Sequence, residues 1–267
     1  ILAIGGGSVI DTCKSAAHGY YYNGDPLDFN KHKVRPLNTL KVGVILTIAA
    51  SGSEMSDSCV ISDREKNFKG GFNDESNYPL FAILDPTMTY SLPKKQLAFG
   101  LIDMFSHSFE RFFSPSEEYE VTDYLALATM RAIIDISKSV LTKENDYSSR
   151  KAMMLLGAIS HNGITNVGKT KRFIVHQAEH YLSGIYPDLI HGQGIALLLP
   201  SFIKTNSKFL EEKILLFNQI VFSQKDASEK PLLEYISSLP IVHSFSDLDF
   251  EIKAEDITHA EKMLHIR

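Results

Sequence analysis

Apolar positions in the first third of the chain change their period twice. Ile1-Leu2-Ala3-Ile4 is a continuous apolar run, the form of a strand buried on both faces. Three glycines, Gly5 to Gly7, interrupt it. Val9, Ile10, Cys13, Ala16, Ala17 and Tyr20 then fall near the i, i+3, i+4, i+7 spacing of one helical face. Ser8 stands where it can cap that helix, with Asp11 three residues on completing a capping-box pattern. The pattern therefore predicts strand, glycine turn, helix. Further strands are predicted at Lys41 to Ile48, at 60–63 and at 80–86, the last ending at Pro86. Strands alternating with connecting segments indicate an α/β layer.

Beyond residues 91–96 the period becomes helical. Gln96 to Phe113, Val121 to Leu141, Ser149 to Asn162, Arg172 to Gly184 and Leu197 to Thr205 all read as helices, almost without β-branched runs between them. The boundary falls at Leu92-Pro93, where a proline precedes a helix start, giving an α/β unit over 1–92 and an all-helical unit over 93–267. The acidic, Ser/Lys-containing stretch 223–230 reads as a solvated loop.

Composition narrows the function classes. A net charge of −5 with scattered basic residues gives no field for nucleic acid. The two cysteines, Cys13 and Cys59, lack metal-ligand or CxxC spacing and suit reduced packing residues of a cytoplasmic protein. No apolar run approaches the roughly 20 residues a membrane span needs. The chain starts without Met and on a core-like strand, from which we expect that an N-terminal portion precedes it.

Two turns and one pair of helices carry the candidate chemistry. Glycines at Gly5-Gly6-Gly7 let a backbone approach a pyrophosphate, and the free N–H groups opening the next helix attract its charge; a ligand-free tight turn fits equally well. Asp11 and Lys14 read either as helix-end and solvent-facing charges or as residues that order the loop. The stretch 51–54, "SGSE", after Thr47, is a second hydroxyl-rich turn, open to a ligand or to a plain loop. In the helical part, Asp103 and His107 lie four residues apart, one turn up the same face, among Leu101, Ile102, Met104, Phe105 and Phe109. A carboxylate in such company requires a partner. His176 and His180 repeat the spacing, and His191 follows a turn and opens another apolar helical run. One Asp with two or three His is a donor set for Zn²⁺ or Fe²⁺. Phe99, Phe105, Phe109 and Tyr186 read as core.

With those residues in hand, "AIGGGSVIDTCK", "SGSEMSD", "YPLFAILDPTMTYSLP", "GLIDMFSHSFERFFS" and "HQAEHYLSGIYPDLIHGQGIALLLP" together resemble the iron-containing (group III) alcohol dehydrogenase family, on its NADPH-dependent butanol dehydrogenase branch. The resemblance implies a Rossmann-like dinucleotide-binding domain, truncated here, followed by an all-helical metal-binding domain in a dehydroquinate synthase-like architecture. It implies Asp103, His107, His176 and His191 as metal ligands, with His180 beside substrate and nicotinamide, where an imidazole can act as a proton relay or as a hydrogen-bonding group behind the ligands. It places Gly6, Gly7, Ser8, Asp11 and Lys14 on the pyrophosphate loop, Thr47, Ser51 and Leu92 along the nucleotide cleft, and Lys69 near the cofactor. The implied reaction is hydride transfer between NADP(H), or NAD(H), and a small alcohol or aldehyde, with Fe²⁺ or Zn²⁺ as Lewis acid. The implied assembly is a homodimer when full length. Two departures stand out: Ser51 where Thr is commoner, and one extra residue, Pro187, between His176 and His191. A metal-dependent hydrolase and an inactive metal-binding fragment are the competing readings.

Overall fold

The computed structural model describes residues 1–115, 120–170 and 172–266. The chain opens with strand β1 (Leu2–Gly5), helix α1 (Gly7–Gly19) and a single turn α2 (Leu27–Asn30). Strands β2 (Gly43–Leu46), β3 (Ser58–Asp63), β4 (Phe68–Asn73) and β5 (Phe81–Ile83) follow. The order in the main sheet is β1-β2-β5, parallel throughout, with Ala3 opposite Val44 and Val44 opposite Ala82. A parallel ladder requires crossovers, and α1 supplies the first of them by packing on the sheet.

Three expectations for this part are corrected. β1 alternates: Ala3 is buried, whereas Leu2 and Ile4 are about half exposed, because the described residues cover only one face of the sheet. The strand expected at 60–63 does not join the α/β layer. It pairs antiparallel with β4 as a separate hairpin, Ser62 opposite Lys69, turning through Asn67 at φ +49°. Ser8 does not cap α1 and Asp11 completes no capping box. The cap residue is Gly6, whose carbonyl accepts from Val9 and Ile10 N–H, and a Cβ at Gly6 would lie 2.2 Å from Ile48 Cγ2. The side chain is missing there because β2's exit packs on the turn.

Helices then dominate: α3 (Lys94–Phe113), α4 (Glu120–Thr142), α5 (Tyr147–His161), α6 (Ile174–Ile185), α7 (His191–Asn206), α8 (Glu211–Phe217), α9 (Lys230–Ser237) and α10 (Ala254–Met263). Pro93 opens α3, and from Leu97 to Phe113 every residue is buried. A helix apolar on all sides belongs at the centre of its layer, and α3 packs against α4, α5 and α7. Its two charged pairs, Asp103 with His107 and Glu110 with Arg111, are therefore enclosed by protein.

α7 begins six residues before the expected Leu197. Its first turn, His191-Gly192-Gln193-Gly194, carries no apolar period, but a Cβ at Gly192 would stand 2.7 Å from the Phe99 carbonyl of α3. The glycine lets α7 close onto α3 at the level of Asp103, and that contact brings His191 to the site.

Candidate metal and dinucleotide site

Asp103 and His107 rise one turn apart from α3, His176 faces them from α6, and His191 opens α7. Asp103 Oδ1 lies 3.7 Å from His107 Nε2, 3.5 Å from His176 Nε2 and 3.5 Å from His191 Nε2. A tetrahedral ion with bonds of about 2.1 Å holds its ligand atoms about 3.4 Å apart, so Asp103 Oδ1 stands from each imidazole at about the edge such an ion imposes; Asp103, His107 and His176 offer ligand atoms within 4.8 Å of one another, and His191 groups with Glu179 and His180. Asp103 Oδ1 and His176 Nε2 are buried without a hydrogen-bond partner among the described residues. Polar atoms left bare in an interior are costly unless something else satisfies them, and here a cation in their midst would do so. With Pro187 in the turn, His191 Nε2 still reaches to 3.5 Å from Asp103 Oδ1.

Outer carboxylates aim the imidazoles. Glu110 accepts from His176 Nδ1 and from the N–H groups of Val175 (2.6 Å) and His176 (3.1 Å), while Glu179 accepts from His191 Nδ1. Each bond leaves Nε2 as the ring's donor atom toward the centre. Burial alone would raise Asp103, but the His107 and His191 rings outweigh it and hold the carboxyl well below its ordinary range. Burial would likewise lower His176, yet Glu110 beside it brings the ring to about 9. Glu179 is drawn below its usual value by His191 and Lys69 against the opposing effect of burial. Of the three buried carboxylates, Glu179 meets the ammonium of Lys69 (3.0 Å), Glu110 meets His176, and Asp103 meets the imidazoles of the cluster.

The glycine turn and this cluster share one cavity of about 470 Å³, which runs from Gly7 and Ser8 past Ser51 to Asp103, His176 and His191. Of the residues placed on the dinucleotide side by sequence, Gly7, Ser8, Asp11, Ser51 and Lys69 line it. Gly6, Lys14, Thr47 and Leu92 are not among its lining residues. Thr47 N–H donates to the Gly5 carbonyl (3.1 Å), joining the two turns, and Leu92 packs on the hydrophobic core. His180 lines the cavity beside His191, with ring centres 5.4 Å apart.

Asp11 and Lys14 order the loop and are not solvent-facing. The Lys14 ammonium, 1% exposed, donates to the carbonyls of Ser53 (2.8 Å), Ser56 (3.2 Å) and Ser58 (2.8 Å) and to Ser53 Oγ (2.9 Å). Asp11 accepts from Ser53 Oγ (2.5 Å) and Val60 N–H (2.9 Å). Next to them Glu54 is buried, and burial raises its carboxyl from 4.5 to about 7 against its own backbone N–H and Lys14. A folded-state value above the unfolded one gives stability that is fully present below pH 4.5 and is lost as pH rises through about 7. Glu54→Gln removes that dependence. In urea titrations, wild type should lose about 3 kcal/mol relative to the variant between those limits; parallel pH profiles would contradict the assignment.

Three residues of the site were not expected from sequence. Glu110 lies seven residues after Asp103, on the same face of α3, a carboxylate inside the apolar run "HSFERFF" that could have signalled it. Glu179, beside His180, gives no such sign. His161, at the end of α5, lines the cavity with its ring 4.2 Å from that of His107 and its Nδ1 without a hydrogen-bond partner among the described residues.

A parallel sheet with a glycine turn at its edge, opening through one cleft onto an Asp and three His among helices, defines a class. Residues 1–86 match the family described as iron-containing alcohol dehydrogenase, and residues 97–263 match the Fe-containing alcohol dehydrogenase family, C-terminal. The chain belongs to this family. Among individual proteins, it is 41% identical over 204 residues to the NADH-dependent butanol dehydrogenase A of Clostridium acetobutylicum, covering 76% of this chain and 52% of that one. It is 29% identical over 232 residues to the NADPH-dependent aldehyde reductase of Escherichia coli, covering 86% of this chain and 60% of that one. The crystal structure of NADH-dependent butanol dehydrogenase A from Thermotoga maritima superposes with a TM-score of 0.89 at 29% identity, over 98% of this chain and 67% of that one. The chain spans about half the length of the butanol dehydrogenase relatives it matches.

Proposed function

We propose that the protein containing this chain is an NAD(P)-dependent alcohol dehydrogenase and aldehyde reductase acting on small alcohols and aldehydes, with Asp103, His107, His176 and His191 holding a divalent metal. The observation that carries the reading is the single cavity that joins the glycine turn to the Asp and three His. In this reading the architecture is dehydroquinate synthase-like, the dinucleotide lying along Gly7, Ser8 and Ser51 across the cleft from the metal. Iron and zinc both suit nitrogen and carboxylate donors, and iron is the choice the family name supports. Branch resemblance implies NADP(H), while relatives include both NADH- and NADPH-dependent enzymes, so titrating both dinucleotides decides between them. The same reading assigns a homodimer and a cytoplasmic location, the first checked by light scattering.

When bound, the metal supplies Lewis acidity at the substrate oxygen and the nicotinamide carries the hydride. The chain's residues do the rest. Glu110 and Glu179 lock the imidazoles of His176 and His191, so substrate meets a rigid wall. Phe99, Phe173 and Ile190 line the cleft and exclude water from the reacting face. His180 is kept neutral by burial and by Lys69 and, with its side chain 19% exposed, spans the interior and the cleft mouth. Its ring nitrogen takes the alcohol proton and returns it to solvent, and in the reverse direction delivers it. The test is butyraldehyde reduction by NADPH and NADH beside His180→Asn. Wild type should turn over, and the variant should keep its metal while kcat falls about 100-fold. Full activity in the variant would remove the relay, and a metal-loaded wild type that ignores both dinucleotides would remove the dehydrogenase reading.

A further inference from the structure

Lys69 lies on β4 of the hairpin, far in sequence from the helices, and a lysine on a hairpin ordinarily extends into water. This one is 12% exposed and crosses the cleft to α6. Its ammonium donates to Glu179 Oε2 (3.0 Å) and Ser183 Oγ (2.9 Å) and lies 3.3 Å from His191 Nδ1. Glu179, fully enclosed, accepts from Lys69 with the same oxygen that holds His191 Nδ1. The backbone allows the reach: the hairpin turn lies directly on α6 at Gly184, where a Cβ would stand 3.2 Å from the Asn67 carbonyl. Ser58, Ser62 and Asn73 of the same hairpin line the cleft on its dinucleotide side.

We propose that Lys69 is a positioning residue for the metal centre: from the hairpin it clamps Glu179, and through Glu179 it fixes the ring of His191 with Nε2 turned toward Asp103. The inference rests on the metal reading given under Proposed function. The hairpin that walls the dinucleotide side is thereby tied to one ligand of the other side. Without the ammonium, Glu179 keeps a single strong partner and rotates with His191, so the fourth ligand loses its fixed direction. Changes to such outer partners typically weaken metal binding about 10- to 100-fold.

The experiment is Co²⁺ titration of the metal-free protein, followed by the visible absorption that a tetrahedral nitrogen and oxygen site gives. Lys69→Met should bind Co²⁺ about 10- to 100-fold more weakly than wild type, with an altered band, while its metal-free melting temperature stays near wild type. Glu179→Gln should show the same loss, and the double variant no more than either single one, because both act through one chain of contacts. If Lys69→Met fails to fold, Lys69→Gln, which keeps a donor, should still lose about tenfold. Wild-type affinity and an unchanged band in these lysine variants would overturn the clamp alone. A wild type that takes up no Co²⁺ would overturn the metal reading and the clamp with it.

Discussion

Asp103→Asn is expected to strip the protein of its metal and to lower aldehyde reduction by at least about 1,000-fold, since even outer partners of such ligands are worth about 10- to 100-fold. Asp103 Oδ1 lies within 3.7 Å of all three imidazole Nε2 atoms, so it is the hub of the donor set. An amide keeps the shape but loses the charge, and the neutral oxygen is a far poorer partner for a hard divalent ion. The fold should survive, because among the described residues Asp103 Oδ1 has no hydrogen-bond partner to lose. Elemental analysis should find about one ion per chain in wild type and under about a tenth in the variant. Retention of a full equivalent by Asp103→Asn would place the ion elsewhere.

Lys14→Met is expected to cost about 3–5 kcal/mol of folding stability, the usual price of leaving a buried charge without its partner. The methionine fills the space but leaves three carbonyls, of Ser53, Ser56 and Ser58, without their donor, and the Asp11 carboxylate without the ammonium 3.9 Å away. The loop from Ser51 to Ser58 is tied down by that ammonium, so dinucleotide affinity should fall along with the urea midpoint. Asp11→Asn added to Lys14→Met should recover part of the loss, because the second change removes the stranded charge. A loss below about 1 kcal/mol in the single variant would show that the loop is held by other contacts.

Much of the site was legible because helical spacing converts directly into geometry. Asp103 and His107, and His176 and His180, sit at i and i+4, which sets each pair on one face whatever the tertiary structure. The meeting of α3, α6 and α7 was not dictated by spacing: the donor types suggested it, and the family resemblance narrowed it to Asp103, His107, His176 and His191. His191 shows why: it opens α7 on a turn that holds Gly192 and Gly194, and the close approach of that turn to Phe99, which sets where His191 stands, cannot be read from "HGQG". The hairpin was half read, since "FKGGFN" lacks the alternation of a strand and its glycines suggest a loop. Glu110, Glu179 and the inward course of Lys69 were hidden for a common reason. Charged residues read as solvated unless their neighbours in space are known, and those neighbours lie 66, 12 and 110 residues away.

The four proposed ligands differ in how far they face the outside: the side chains of Asp103, His107 and His176 are 5%, 4% and 9% exposed, whereas His191 is 28% exposed. His191 is therefore the doorpost of the site. On the proposed reading, an ion arriving or departing would pass it, through the same cavity that a dinucleotide along Gly7 and Ser51 would occupy. A bound dinucleotide would then stand in the ion's way, and a chelator would act chiefly on the nucleotide-free protein.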